Sequence, residues 1–100
     1  MTRGEEKVFI EIVAKKKGCM LCDLAIAILE EIAEELEPET LRWEVVDMGS
    51  REGILRHQEL KKICGRAPLT PSLVINEQIA FDHIPDMEAL STAVHNAMAV

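Results

Sequence analysis

The hydrophobic period changes once near the start of the chain, across KKKGCMLCDLA at residues 15–25. Before it, residues 7–14 (KVFIEIVA) are almost continuously apolar and β-branched, the pattern of a largely buried strand. After it, Leu21, Ala25, Ile28, Leu29, Ile32 and Leu36 recur three or four apart, one apolar stripe on a helix expected over residues 20–36. A strand, a short polar loop and an amphipathic helix in that order begin an α/β arrangement. Two cysteines, Cys19 and Cys22, fall at the junction, and Gly18 supplies backbone freedom to the loop.

The remaining chain continues the alternation. Glu30, Glu31, Glu34 and Glu35 lie mostly off the stripe, and Pro38 stops the first helix. Residues 41–47 (LRWEVVD) read as a second strand. Ser50 can cap a second helix with Ile54, Leu55, Leu60, Ile63 and Cys64 inward, and Gly65 ends it. A turn-rich stretch at 66–71 leads to two short strands, 72–75 and 78–81, joined at Asn76-Glu77. A tight hairpin usually carries Gly after Asn, so Glu77 is an unusual turn residue. Asp86 can cap a last helix with Met87, Leu90, Val94 and Met98 inward.

The expected order is β-α-β-α-β-β-α: a mixed four-stranded sheet with helices on both faces, the early strands parallel and the closing hairpin antiparallel. No repeat, linker or low-complexity segment interrupts the 100 residues, so one domain is expected, with residues 1–6 a flexible polar tail.

Charge and cysteine count narrow the function. The formal net charge is −7, with Glu30, Glu31, Glu34, Glu35, Glu37 and Glu39 close together. That surface repels phosphates and argues against nucleic-acid and anionic-membrane partners. The apolar runs fall far short of the roughly 20 residues a membrane-spanning helix needs, and no secretory leader is legible. A cytoplasmic monomer is the expectation. Three cysteines cannot pair completely within one chain, and in a reducing compartment a CxxC is more often catalytic or metal-binding than structural.

Cys19 is expected near the N-cap of the first helix and Cys22 in its first turn, where unpaired backbone N–H groups create positive potential. That potential favours thiolate, the attacking species, and Lys15, Lys16 and Lys17 act in the same direction. Cys19, nearer the loop, suits the nucleophile; Cys22, followed by the apolar stripe, suits a more buried resolving thiol. Met20 and Leu21 make the rim of the site apolar, which suits a protein or hydrophobic substrate.

At this point the sequence resembles the thioredoxin-like superfamily, most of all its small Gly-Cys-x-x-Cys redox-active disulfide proteins. The resemblance spans nearly the whole chain: the first strand, Gly18-Cys19-Met20-Leu21-Cys22, the helix, then Thr70-Pro71 before the Ser72-Leu73-Val74-Ile75 strand, the hairpin and the last helix. It implies a thioredoxin-like fold and an oxidoreductase with a Cys19–Cys22 redox couple and no other cofactor. The partners it implies are protein disulfides and a reductase or other dithiol donor, in electron transport and cell redox homeostasis. It further implies a cis Pro71 facing the cysteines and a Thr70 whose backbone bonds an extended substrate. Thioredoxin itself has Trp before the first cysteine and Gly-Pro between the pair, where this chain has Gly18 and Met20-Leu21. No glutathione-binding motif of the glutaredoxin type is matched.

Other uses remain open on the residues alone. A structural zinc site wants four ligands, and only one CxxC is present; a two-thiolate soft-metal site needs no more than the pair itself. A non-catalytic redox-sensing domain would use the same disulfide as a switch. Cys64, on an apolar helix face, is expected to be a buried structural thiol. His57 and His95 are expected to be solvated, and His83 follows the last strand with no ligand-like spacing.

Overall fold

The computed structural model describes residues 8–16 and 20–98. The expected tail 1–6, Lys7 at the start of the first expected strand, and Lys17, Gly18 and Cys19 lie outside the described residues.

Seven elements follow in the expected order: β1 (Val8–Ala14), α1 (Met20–Glu34), β2 (Leu41–Asp47), α2 (Arg51–Cys64), β3 (Ser72–Ile75), β4 (Gln78–Phe81) and α3 (Met87–Met98). The sheet order is β2-β1-β3-β4. β1 runs parallel to β2 in continuous register from Val8 opposite Leu41 to Ala14 opposite Asp47. It is antiparallel to β3, which in turn is antiparallel to β4. The result is a small α/β layer structure on a mixed four-stranded sheet.

Alternation along β1 builds two cores. Val8, Ile10, Ile12 and Ala14 point to the layer formed by α1 and α3, where they meet Cys22, Ala25, Leu29, Ile32, Leu73, Ile75, Leu90 and Val94. Val13 points the other way and joins Val46, Leu60 and Val74 beneath α2. Even residues therefore feed one layer and odd residues the other, as a two-residue strand period requires. No helix among the described residues is long and apolar enough to cross a membrane.

Local signals act where the sequence puts them. The Ser50 hydroxyl accepts from Gly53 N–H at 3.0 Å, and Gly65, at φ 85°, closes α2 in the left-handed conformation. The Asp86 carboxylate accepts from Ala89 N–H at 2.8 Å at the head of α3. Asn76 and Glu77 both have positive φ, 49° and 67°, the backbone that a two-residue hairpin with right-handed strand twist needs. Glu77 adopts it without being glycine, and its carboxylate meets Arg56 at 3.1 Å.

Three inward faces differ from expectation. On α1, Cys22 rather than Leu21 faces the core; Leu21 is about half exposed. Helix α1 starts at Met20, so its inward face runs Cys22, Ala25, Leu29, Ile32, and Leu21 falls one position to the side. On α2, Ile54, Leu55 and Ile63 are exposed, and only Gly53 and Leu60 are fully buried. The helix is rotated by two demands. Gly53 must approach β2 so closely that a Cβ there would overlap the Asp47 carbonyl, and Arg56 must reach the buried Glu11 on β1. On α3, Leu90 and Val94 are buried but Met87, at the first turn, is exposed.

Candidate functional site

Three connections converge on the end of the sheet where β1 and β2 finish and β3 begins. Met48 N–H donates to the Ala14 carbonyl at 2.8 Å, tying the β2–α2 turn to the end of β1. Ser72, the first residue of β3, stands opposite Val13. Lys15 and Lys16, both exposed, leave β1 beside Gly49. α1 enters from the same loop, and its Cys22 shares a core cluster with Ala14 and Leu73.

Cys22 is the third residue of α1 and only 2% exposed. The sequence expected a more buried second cysteine, and the helix period delivers it, since Cys22 heads the inward stripe. Around it the surface is apolar: Met20 is 84% exposed, and Leu21 and Leu24 are about half exposed. Apolar side chains held out at a helix head, where no described residue covers them, are suited to contact with another molecule.

Thr70 and Pro71 stand immediately before β3 at this end. Their peptide bond is cis, as the resemblance implied. Thr70 is exposed, Pro71 is half-buried, and Leu69 on the same loop is 55% exposed. Thus Met20, Leu21 and Cys22 at the head of α1, and Thr70 and Pro71 on the connection before β3, lie at one end of the sheet. Cys19, Gly18 and Lys17 belong to the same loop in sequence but are outside the described residues.

His57, expected to be solvated, is instead half-buried and tied to this region. Its Nε2 donates to the Pro68 carbonyl at 2.8 Å, joining the middle of α2 to the loop that carries Thr70 and Pro71. A carbonyl can only accept, so the bond fixes the tautomer with hydrogen on Nε2. Pro68 is buried. The only sequence signal was the position of His57 one turn before Leu60, on the side of α2 that faces this loop. His95 instead folds back on its own helix, with Nδ1 donating to the Ser91 carbonyl at 2.8 Å, and stays exposed.

Cys64 sits elsewhere. It is half-buried at the far end of α2, with Sγ 3.3 Å from the Glu77 carbonyl in the β3–β4 turn. That turn is held to the beginning of β1 by Asn76, whose N–H donates to the Phe9 carbonyl and whose Oδ1 accepts from Phe9 N–H. Cys22 and Cys64 therefore occupy opposite ends of the sheet, and Cys64 completes no ligand set with Cys22.

Under α2 lies a buried ionic contact. Glu11, on the central strand, accepts from Arg56 Nε at 2.6 Å and from its Nη2 at 3.0 Å. Hydrogen bonds to Glu11 first, then to Glu59 and Glu77, hold the Arg56 guanidinium well above its ordinary value. Because the shift is upward, the guanidinium itself does not give up this contribution until pH rises past its ordinary range.

No family model matches the chain, and no curated protein matches it. A solved structure of a malarial protein is similar to it, with 17% identity, 94% of this chain and 99% of that chain covered, and a TM-score of 0.59. That likeness concerns the fold alone.

Proposed function

We propose that this chain is a thioredoxin-like thiol–disulfide oxidoreductase that exchanges a Cys19–Cys22 dithiol with disulfides in other proteins. The observation that carries the reading is the position of Cys22, buried in the first turn of α1 beneath an exposed apolar rim of Met20, Leu21 and Leu24. A thiol at a helix head lies in the positive field of unpaired N–H groups, which favours thiolate. Thr70 and Pro71 at the same end of the sheet support a place for an extended substrate segment.

In the proposed reaction the Cys19 thiolate attacks one sulfur of a substrate disulfide, forming a mixed disulfide and expelling the other substrate sulfur as thiolate. The Cys22 thiolate then attacks the Cys19 sulfur. The mixed disulfide breaks, the second substrate thiolate leaves, and the Cys19–Cys22 disulfide remains. Two electrons pass from the pair to the substrate, whose thiolates take up two protons. A dithiol donor restores the reduced pair by the reverse exchange. The most direct test of the division of labour is Cys22→Ser. Incubated with a peptide disulfide, this variant should accumulate a mixed disulfide at Cys19, seen as an added peptide mass that dithiothreitol removes. Absence of any adduct, with Cys19 still titrating as a free thiol, counts against Cys19 as nucleophile.

A further inference from the structure

The sheet has two edges, and they differ. β4 is four residues long with a register irregularity beside it, between Leu73 and Val74 of β3. A short, bulged edge is a poor template for another strand. β2 is seven residues long, unbroken in register, and contains no proline. No described strand covers its outer side.

The direction of its free backbone groups follows from its bonds to β1. The Thr40 carbonyl accepts from Val8 N–H, and Met48 N–H donates to the Ala14 carbonyl. Even-numbered positions along β2 thus face β1, so the N–H and C=O groups of Leu41, Trp43 and Val45 point outward. An antiparallel strand bonded to this edge must match those odd positions.

We propose that the occupant is a second copy of this chain, paired β2 to β2 about a two-fold axis through Trp43. In that register Trp43 lies opposite Trp43 and Leu41 opposite Val45. Together these three positions exchange about six backbone hydrogen bonds. All three side chains lie on the layer of α1 and α3, where Trp43 and Val45 are only partly buried; pairing extends the apolar core across the seam. On the other face, Arg42 of each copy falls opposite Glu44 of the other. Both are exposed, and they meet as non-hydrogen-bonded pairs, the closer kind. The Arg42 guanidinium is already held over the Phe9 ring, 4.9 Å from its centroid. Shifting the register by two residues sets Arg42 against Arg42 or Glu44 against Glu44, so charge selects one alignment. A two-fold interface must be self-complementary, and this edge is. The proposal departs from the sequence expectation of a monomer.

Sedimentation velocity tests the proposal. The wild-type chain at high micromolar concentration should sediment at twice its 11.2 kDa mass. Arg42→Glu and Glu44→Arg each place like charges opposite one another twice, and should weaken association about tenfold or more. Mixed in equal amounts, the two variants should recover the dimer, because a strand acidic at both positions then meets a strand basic at both. The double variant carrying both substitutions in one chain should recover it alone, which covers the case in which one single variant folds poorly by circular dichroism. A wild-type chain that stays monomeric at millimolar concentration overturns the proposal. So does a dimer that neither variant weakens, or a folded mixture and double variant that both remain monomeric.

Discussion

Single residues set the polar accounts of the interior. Ser72 is fully buried, and its hydroxyl has no hydrogen-bond partner among the described residues; an unsatisfied buried hydroxyl costs about 1–3 kcal/mol. Ser72→Ala should therefore stabilise the fold by about 1 kcal/mol, read as a higher urea midpoint at unchanged slope. Glu11 is the opposite case. Its side chain is 4% exposed and satisfied by Arg56 through two bonds. Arg56→Ala should cost about 3 kcal/mol by leaving a carboxylate buried alone, whereas the apolar pair Glu11→Leu with Arg56→Met should recover most of that loss. A double variant no more stable than Arg56→Ala would mean the ion pair is not what holds α2 here. Neither partner was legible as a pair in sequence. Glu11 sits inside an apolar run and Arg56 inside a helix that reads as polar, and only the crossing of α2 over β1 joins them.

Elements were more legible than the faces they bury. Ser50, Gly65 and Asp86 end or begin their helices through short-range bonds whose partners lie within a few residues, so their spacing carries the information. The inward face of α2 does not follow from local period, because it answers to Gly53 against Asp47 and Arg56 against Glu11, both contacts with strands. A sequence reading weights Ile54, Leu55 and Ile63 by hydropathy; the fold leaves all three exposed. Gly53→Ala should accordingly cost about 3 kcal/mol, since the new methyl meets backbone that cannot yield. The same substitution at an exposed helix position would normally stabilise, so thermal denaturation gives the sign as well as the size. His57→Ala removes the bond that holds Pro68. It should cost about 1 kcal/mol, and amide exchange should quicken selectively at residues 66–70.

At the scale of the whole molecule, sheet order brings the sequence-distant Cys22 and Thr70-Pro71 to one end and sends Cys64 to the other. The β-α-β-α-β-β-α order, the parallel β1–β2 pair and the antiparallel hairpin were legible from the α1 crossover and the two-residue turn; that β3 runs antiparallel to β1, although α2 precedes it, was not. That the second cysteine is buried was legible from the apolar stripe that follows it, but that Cys22 and not Leu21 heads the inward face was not. The tie from His57 to Pro68 and the charge-matched edge of β2 were not, because each depends on strand order and helix rotation. The central claim is that the CxxC pair turns over. Reduction of insulin disulfides by dithiothreitol, followed as turbidity, tests it most directly. The account predicts a rate well above that of dithiothreitol alone and its loss to that background in Cys19→Ser; an equal rate in wild type and Cys19→Ser would contradict it.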